Sequence, residues 1–217
     1  MGTITRSFAN NLTTGGVLKA GAFNNTSLNN VTALNAAIAT GNMILLSSQT
    51  ASDSASISFT TGIDSTYKEY QFYFIDINPA TDNVSFTFNL STDSGSNYNV
   101  TKTSSTFNAY HFENNAATAL TYQTALDLAQ STAFQPLVDA QGNGADESCV
   151  GSMSLFNPSS TTYIKHFIAN CNRYFYDNAS VNHYTAGYGN TTSAVNAVRF
   201  QMSSGNFDGT ILLYGIK

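Results

Sequence analysis

The pattern that most constrains the fold is a strict alternation of apolar and polar residues between Val84 and Leu90. Successive side chains of a β-strand point to opposite faces, so this pattern predicts a strand with one buried face. The preceding segment, residues 67–77, is aromatic on both predicted faces, which are Tyr70, Phe72 and Phe74 against Tyr73, Ile75 and Ile77. Such a strand is buried on both sides, or buried on one side and used as an interface on the other.

Similar short apolar segments recur along the chain and are separated by turns rich in Gly, Asn and Ser. The candidate strands are residues 43–49, 55–60, 67–77, 84–90, 106–113, 148–157, 162–170, 182–188, 196–203 and 207–216. Residues 116–133 are rich in alanine and are predicted to form a short helix or an excursion loop. Because helices do not alternate with the strands, we predict an all-β, antiparallel β-sandwich rather than a parallel α/β sheet.

Residues 1–40 differ from the rest of the chain, with paired asparagines and scattered apolar residues. Two interpretations stay open: a frayed terminus, and an arm that gains a fixed shape against a neighbouring subunit. The apolar residues favour the arm, because a solvated tail has no use for them. The predicted organisation is an extended N-terminal arm for docking or oligomerisation, 1–40, and a sandwich domain, 41–217. Predicted interface residues are Ile4, Phe8, Leu12, Phe23 and Leu28 of the arm, with Tyr70 and Tyr73 of the aromatic strand.

The two cysteines, Cys149 and Cys171, are too few to form a disulfide framework. If residues 158–161 form a hairpin turn, Cys149 lies directly opposite Cys171. We expect both cysteines to be buried and reduced, where they behave as small apolar residues. A cross-strand disulfide between them is the alternative. A register error would change the pairing.

No catalytic or metal-binding motif is present, and His111, His166 and His183 are scattered among aromatic segments. They are predicted to be structural or interface residues, and the chain is predicted to be no enzyme and to need no cofactor. The acidic, glycine-rich stretch 139–147 offers Asp139, Asp146 and Glu147 as a weak calcium candidate, because calcium prefers oxygen ligands. The simpler interpretation is a solvated loop.

The chain carries little charge for its 217 residues: only 10% are charged, the net charge is -5, and Lys and Arg number 8. A nucleic-acid partner is therefore not expected, and no apolar run is long enough for a membrane helix. Sheet edges usually carry charged residues that prevent pairing with other chains, and few are available here. The sheet edges are therefore expected to be covered, within the fold or by other copies of the chain. Together with the strand that is aromatic on both faces, this predicts a homo-oligomer, most simply a cyclic one.

Four stretches carry a resemblance to known proteins: MGTITRSFANNLTTGGVL, SISFTTGIDSTYKEYQFYFIDINPATDNVSFTFNLSTDSGSNYN, SLFNPSSTTYIKHFIAN and the ending AVNAVRFQMSSGNFDGTILLYGIK. Together they resemble virion structural proteins of marine tailed phages, including those that infect cyanobacteria. The resemblance implies a jelly-roll sandwich and supplies no catalytic residues.

Two places on the phage particle fit this resemblance. A compact domain with a short arm suits a capsid decoration or cement protein, which would bind the major capsid protein on the outer shell as a homo-oligomer, expected to be a trimer. The alternative is a tail fibre or tail appendage that binds a host receptor or carbohydrate. The chain shows no heptads and no repeat from which a fibre shaft could be built, so the capsid surface is favoured.

Overall fold

The computed structural model describes residues 42–217, and these residues form twelve β-strands and no helix. The strands are β1 (Met43–Ser54), β2 (Ile57–Phe59), β3 (Glu69–Pro79), β4 (Val84–Ser91), β5 (Lys102–Phe112), β6 (Thr118–Tyr122), β7 (Gln135–Gln141), β8 (Cys149–Phe156), β9 (Lys165–Phe175), β10 (Ala179–Gly189), β11 (Ala197–Met202) and β12 (Phe207–Ile216). The predicted arm, with its interface residues Ile4, Phe8, Leu12, Phe23 and Leu28, lies outside the described residues.

The strands form two antiparallel layers. The larger layer has the order β1-β12-β3-β8-β9-β10-β5-β6, and the smaller has the order β2-β11-β4-β7. A single residue pair, Gln141 on β7 with Phe175 on β9, joins the layers, so the sheet is nearly closed. The predicted fold class, an all-β antiparallel sandwich of the jelly-roll-like kind, is confirmed.

The core between the layers is built largely from phenylalanine. Phe200 of β11 lies at its centre, with ring centroids between 5.1 and 6.3 Å from five other rings, those of Phe59, Phe72, Phe74, Phe86 and Phe88. All six side chains are nearly or completely buried. The rings of Phe59, Phe72 and Phe74 pack edge-to-face against Phe200, whereas Phe86 stacks on it and Phe88 is tilted. Aromatic packing of this kind adds to the free energy gained by removing aromatic surface from water. These contacts hold the smaller layer against β3.

A β-bulge in β3 changes the predicted faces. Tyr70, Phe72 and Phe74 point into the core as expected, whereas Tyr73 points outward. The register with β8 then shifts between Phe74 and Ile77, and Asp76 adopts a positive φ of 51°. A bulge adds one residue and so reverses the alternation that follows it. Ile77 is therefore completely buried, and its predicted place beside Tyr73 was wrong.

The hairpin that carries the cysteines exists, but its register differs from the predicted one by two residues. Cys171 pairs with Gly151, and Cys149 pairs with Arg173. The connection spans residues 157–164 instead of a tight turn at 158–161, which moves every pair. A shift of two residues preserves the face, so both cysteines still point into the core. Both are buried and free.

Two strands were not predicted. β6 lies inside the stretch for which a short helix or loop was expected, and β7 includes Asp139, which was assigned to a solvated loop. β10 extends beyond the predicted strand 182–188 at both ends, from Ala179 to Gly189, and pairs with β5 and β9 throughout.

Candidate functional site

The outward side of five adjacent strands carries no formal charge at neutral pH. We call it the neutral face and define it by the outward residues of β8, β9, β10, β5 and β6. These are Val150, Ser152, Ser154 and Phe156; His166, Ile168, Asn170, Asn172 and Tyr174; Ser180, Asn182, Tyr184, Ala186 and Tyr188; Thr103, Ser105, Phe107, Ala109 and His111; and Thr118, Leu120 and Tyr122. None of them is Asp, Glu, Lys or Arg.

Apolar and aromatic side chains stand exposed on the neutral face. Leu120 is 70% exposed, Ile168 57% and Tyr122 54%. Phe107 and Tyr184 stack with ring centroids 5.0 Å apart and planes 14° apart. Neighbouring apolar groups at this level of exposure are typical of surfaces that bind another macromolecule.

Acidic groups lie beyond one end of the neutral face. Glu113 and Asp146 line a cavity of about 540 Å³ there, together with His111 and Tyr174 of the face itself. Asp127 lies beside the edge strand β6, where its carboxylate accepts a hydrogen bond of 2.6 Å from the Tyr122 hydroxyl. The face is therefore neutral in its middle and bordered by carboxylates.

Buried cations reduce the surface charge further. Lys102, Lys165 and Arg173 are buried, which leaves Lys68, Arg199 and Lys217 as the other cationic residues of the described part. The Lys165 ammonium donates to the backbone carbonyls of residues 160, 163 and 191 and so ties two loops together. The edge strand β6 has no charged residue at all, which leaves its free edge without the usual protection against pairing.

The inward side of the same sheet holds a buried ionic group. The Arg173 Nη2 lies 2.7 Å from Oδ1 of Asp139, its Nη1 donates to the carbonyl of Ala140, and its Nε donates to Nε2 of His183 at 3.2 Å. Burial and the nearby Arg173 charge lower the pKa of His183 to about 4. His183 is therefore neutral at pH 7, and the charges of Arg173 and Asp139 balance each other.

This ionic group lies beside a cavity of about 260 Å³ on the inward side of the larger layer. Asn108 and Arg173 contribute polar groups to it, and Tyr110, Phe112 and Phe175 contribute aromatic rings. The cavity was not anticipated from the sequence, because its residues come from separate strands. Only the strand register brings them together.

The two predicted interface residues within the described part have different surroundings. Tyr70 is completely buried, and its hydroxyl lies 3.0 Å from both the carbonyl and Oδ1 of Asp64. Of the two alternatives for the aromatic strand, Tyr70 thus belongs to the core, which corrects its assignment to the interface. Tyr73 is half-buried on the outward side and packs edge-on against Tyr214 at 5.7 Å.

The structure does not bring together the three acids of the calcium candidate. The Asp139 carboxylate pairs with Arg173, and the Glu147 carboxylate accepts a hydrogen bond from the backbone of Gly144. Asp146 faces the other cavity, beside the neutral face. Within residues 42–217, no three His, Cys, Asp or Glu side chains are grouped to hold a metal ion.

The three histidines have different surroundings. His111 is exposed and bonded to Asn115 at 3.0 Å, and His166 packs edge-on against Tyr188. His183 belongs to the buried ionic group. In the described part of the chain, their side-chain partners are amide, aromatic and charged groups, and none of these partners is a serine or a cysteine.

No protein-family model, curated protein or solved structure matches the chain. In the part that the structure describes, no helix has the length and hydrophobicity needed to cross a bilayer.

Proposed function

We propose that the chain is a non-enzymatic structural protein of a tailed-phage virion, located on the particle surface, which decorates the capsid as a homo-oligomer and stabilises the shell. The observation that carries this proposal is the neutral face, with its exposed apolar side chains and no formal charge. The resemblance to marine phage structural proteins supports the same conclusion.

The dimensions of the neutral face suit a stable protein contact. Five strands about 4.8 Å apart and about 30 Å long present an area on the order of 700 Å². Each partner in a standard protein interface buries about 800 Å². An occupant of this face, a second copy or the major capsid protein, would make apolar contacts and hydrogen bonds with the Asn, Ser and Thr side chains between the aromatic rings.

A tail fibre or other appendage is the second candidate location. The described domain is a single sandwich, and residues 42–217 contain no shaft-like repeat of strands or helices. A decoration protein needs only such a domain and an attachment surface. We therefore keep the capsid surface as the proposed location and a trimer as the proposed oligomer.

The copy number of the chain per particle distinguishes the two locations. Quantitative mass spectrometry of purified virions would compare this chain with the major capsid protein. A ratio comparable to that of the capsid subunit is the expected result and indicates a protein that covers the shell. A few oligomers per particle would move the proposal to the tail, and absence from the virion would overturn it.

A pair of matched variants tests the neutral face directly. Ala186→Glu places a carboxylate in the middle of the face, whereas Ser204→Glu places one in an exposed turn away from it. We expect the first variant to be monomeric in analytical ultracentrifugation and to leave capsids undecorated, because it would bury an unpaired charge in the contact. The second should behave as the wild type. Equal oligomerisation and decoration by both variants would show that the neutral face is not the contact surface.

A further inference from the structure

The cavity on the inward side of the larger layer combines a polar floor with an aromatic rim. Asn108 and Arg173 are 6% and 4% exposed, so the polar groups lie deep in the structure. Phe112 packs edge-on against Phe175 at 6.0 Å and against Tyr110 at 5.8 Å, which forms a continuous apolar wall. A few fixed polar groups within an aromatic wall are the usual composition of a small-molecule site.

Asn108 has hydrogen-bonding capacity that the described residues do not use. Its Oδ1 accepts from Thr121 Oγ1 at 2.8 Å and from Gln123 Nε2 at 3.0 Å, which fixes the orientation of the amide. Nδ2 must then point away from these two donors, and it donates to none of the described residues. The two N–H groups of Asn108 are therefore available to a ligand or to water.

The ionic pair supplies further groups of both kinds. Arg173 uses one N–H of each terminal nitrogen for Ala140 and Asp139, so one N–H remains on each. The Asp139 Oδ2 accepts no hydrogen bond from the described residues, and its side chain is 29% exposed. Asn108, Arg173 and Asp139 thus bring both donors and acceptors to the lining of the cavity, and the charges of Arg173 and Asp139 balance each other.

The charge balance limits the class of ligand. An acidic ligand would have to compete with Asp139 for Arg173, and a basic ligand would have to compete with Arg173 for Asp139. A neutral polyol meets neither difficulty, because its hydroxyl groups both donate and accept. The volume, about 260 Å³, lies just below the range of about 300–1,000 Å³ for ligand pockets and leaves room for one ring rather than a chain.

We infer that this cavity is a binding site for a single neutral sugar ring, whose hydroxyl groups bond Asn108, Arg173 and Asp139 while its carbon–hydrogen face packs on Phe112. The Phe175 ring is not available for this contact, because the Arg173 guanidinium lies over it, 4.7 Å from its centroid. The site lies on the opposite side of the sheet from the neutral face. The inference therefore goes beyond the proposed virion role and stands or falls separately from it.

The first test compares probes on the wild-type protein. Saturation-transfer NMR and calorimetric titration would use methyl glycosides of glucose, galactose and mannose as neutral probes, with methyl glucuronide as the acidic probe. We expect at least one neutral glycoside to bind with a millimolar dissociation constant and to bind more tightly than the glucuronide. Absence of binding by all neutral glycosides, or tighter binding of the glucuronide, would overturn the inference.

Two variants then locate the site. Asn108→Asp keeps the acceptor for Thr121 and Gln123 but replaces the two free N–H groups with an oxygen, so neutral glycosides should bind about tenfold or more weakly. Asp139→Asn gives the cavity a net positive charge, so the preference should move toward the glucuronide. Asn42→Asp makes the same chemical change at an exposed position outside both the cavity and the neutral face, and it should leave binding unchanged. Far-UV circular dichroism and melting temperature verify folding, and an equal loss in Asn42→Asp would place binding elsewhere.

Discussion

The Lys102 ammonium nitrogen donates a 2.5 Å hydrogen bond to Oδ1 of Asn89, and both side chains are completely buried. Its second acceptor is the carbonyl of Val100, at 2.9 Å, and no carboxylate of the described residues accepts a hydrogen bond from it. Burial lowers the pKa of Lys102 from 10.5 to about 7. Burial lowers the pKa of Lys165 as well, but three carbonyls accept from its ammonium and match its three donors.

Lys102 should make the stability of the protein depend on alkaline pH. Between pH 7 and 10.5 the unfolded chain holds a proton on Lys102 that the folded chain has released, so stability rises with pH across this window. Urea unfolding of the wild type and of Lys102→Met at several pH values isolates this contribution. We expect the difference in unfolding free energy, wild type minus variant, to increase from pH 7 upward. A constant difference would show that Lys102 stays protonated in the folded protein.

His183 should destabilise the protein in acid. Its folded pKa of about 4 lies below the ordinary value of 6.5, so the unfolded chain binds the proton first as the pH falls. Stability is therefore lost between pH 6.5 and about 4. The matched variant His183→Gln keeps an acceptor for Arg173 Nε but cannot titrate. The wild type should lose stability relative to this variant over the window, and parallel pH curves would contradict the assignment.

Truncating Phe200 should cost more than truncating other aromatic residues of the protein, because five rings pack around it. We expect Phe200→Ala to lower the unfolding free energy by about 3–5 kcal/mol, and Phe200→Leu to lower it by about 1–2 kcal/mol. Tyr163→Ala is the control, since that ring is 68% exposed. Urea titration measures all three. A Phe200→Ala loss no larger than that of the control would place the centre of the core elsewhere.

Both cysteines should be inert in the folded protein and reactive after unfolding. Burial raises the pKa of Cys171 to about 12 and raises that of Cys149 as well, so neither forms the nucleophilic thiolate at neutral pH. Iodoacetamide without reductant should leave the native mass unchanged and add two carbamidomethyl groups in urea. Failure to react in urea until a reductant is added would show a disulfide instead.

The strands with regular alternation could be predicted from the sequence because each carries its own signal. β4 and β12 were predicted close to their observed bounds, and the sandwich class followed from the number and spacing of such segments. β7 could not be predicted in this way. It begins with Gln135 and Pro136, ends with Gln141, and pairs irregularly with β4. Its buried glutamines bond partners from other parts of the fold, such as the Ile77 carbonyl, which accepts from the Gln141 amide nitrogen, and only the folded chain supplies these partners.

The candidate sites depend on the register of the paired strands, which could not be predicted accurately from the sequence. The observed register of the β8–β9 hairpin differs from the predicted one by two residues, so Cys149 pairs with Arg173 instead of Cys171. A one-residue bulge at Asp76 places Ile77 on the face opposite to the predicted one. Asn108, Asp139 and Arg173 come from β5, β7 and β9, so no local pattern joins them. The neutral face corresponds in the sequence to strands whose outward positions carry no charged residue. This pattern can be recognised only after the structure has shown which residues point inward and which point outward.

The pairing of β1 with β12 has a consequence for synthesis of the chain. Thr50 and Thr210 bond across this pair although 160 residues separate them. Among the described strands β1 pairs with β12 alone, so during translation β1 leaves the ribosome long before that partner exists. β3 likewise lacks β12 on one side until then. The larger layer is therefore completed only after translation has passed Ile216, and a nascent chain stalled before β12 would expose two unpaired strand edges to chaperones and to other copies.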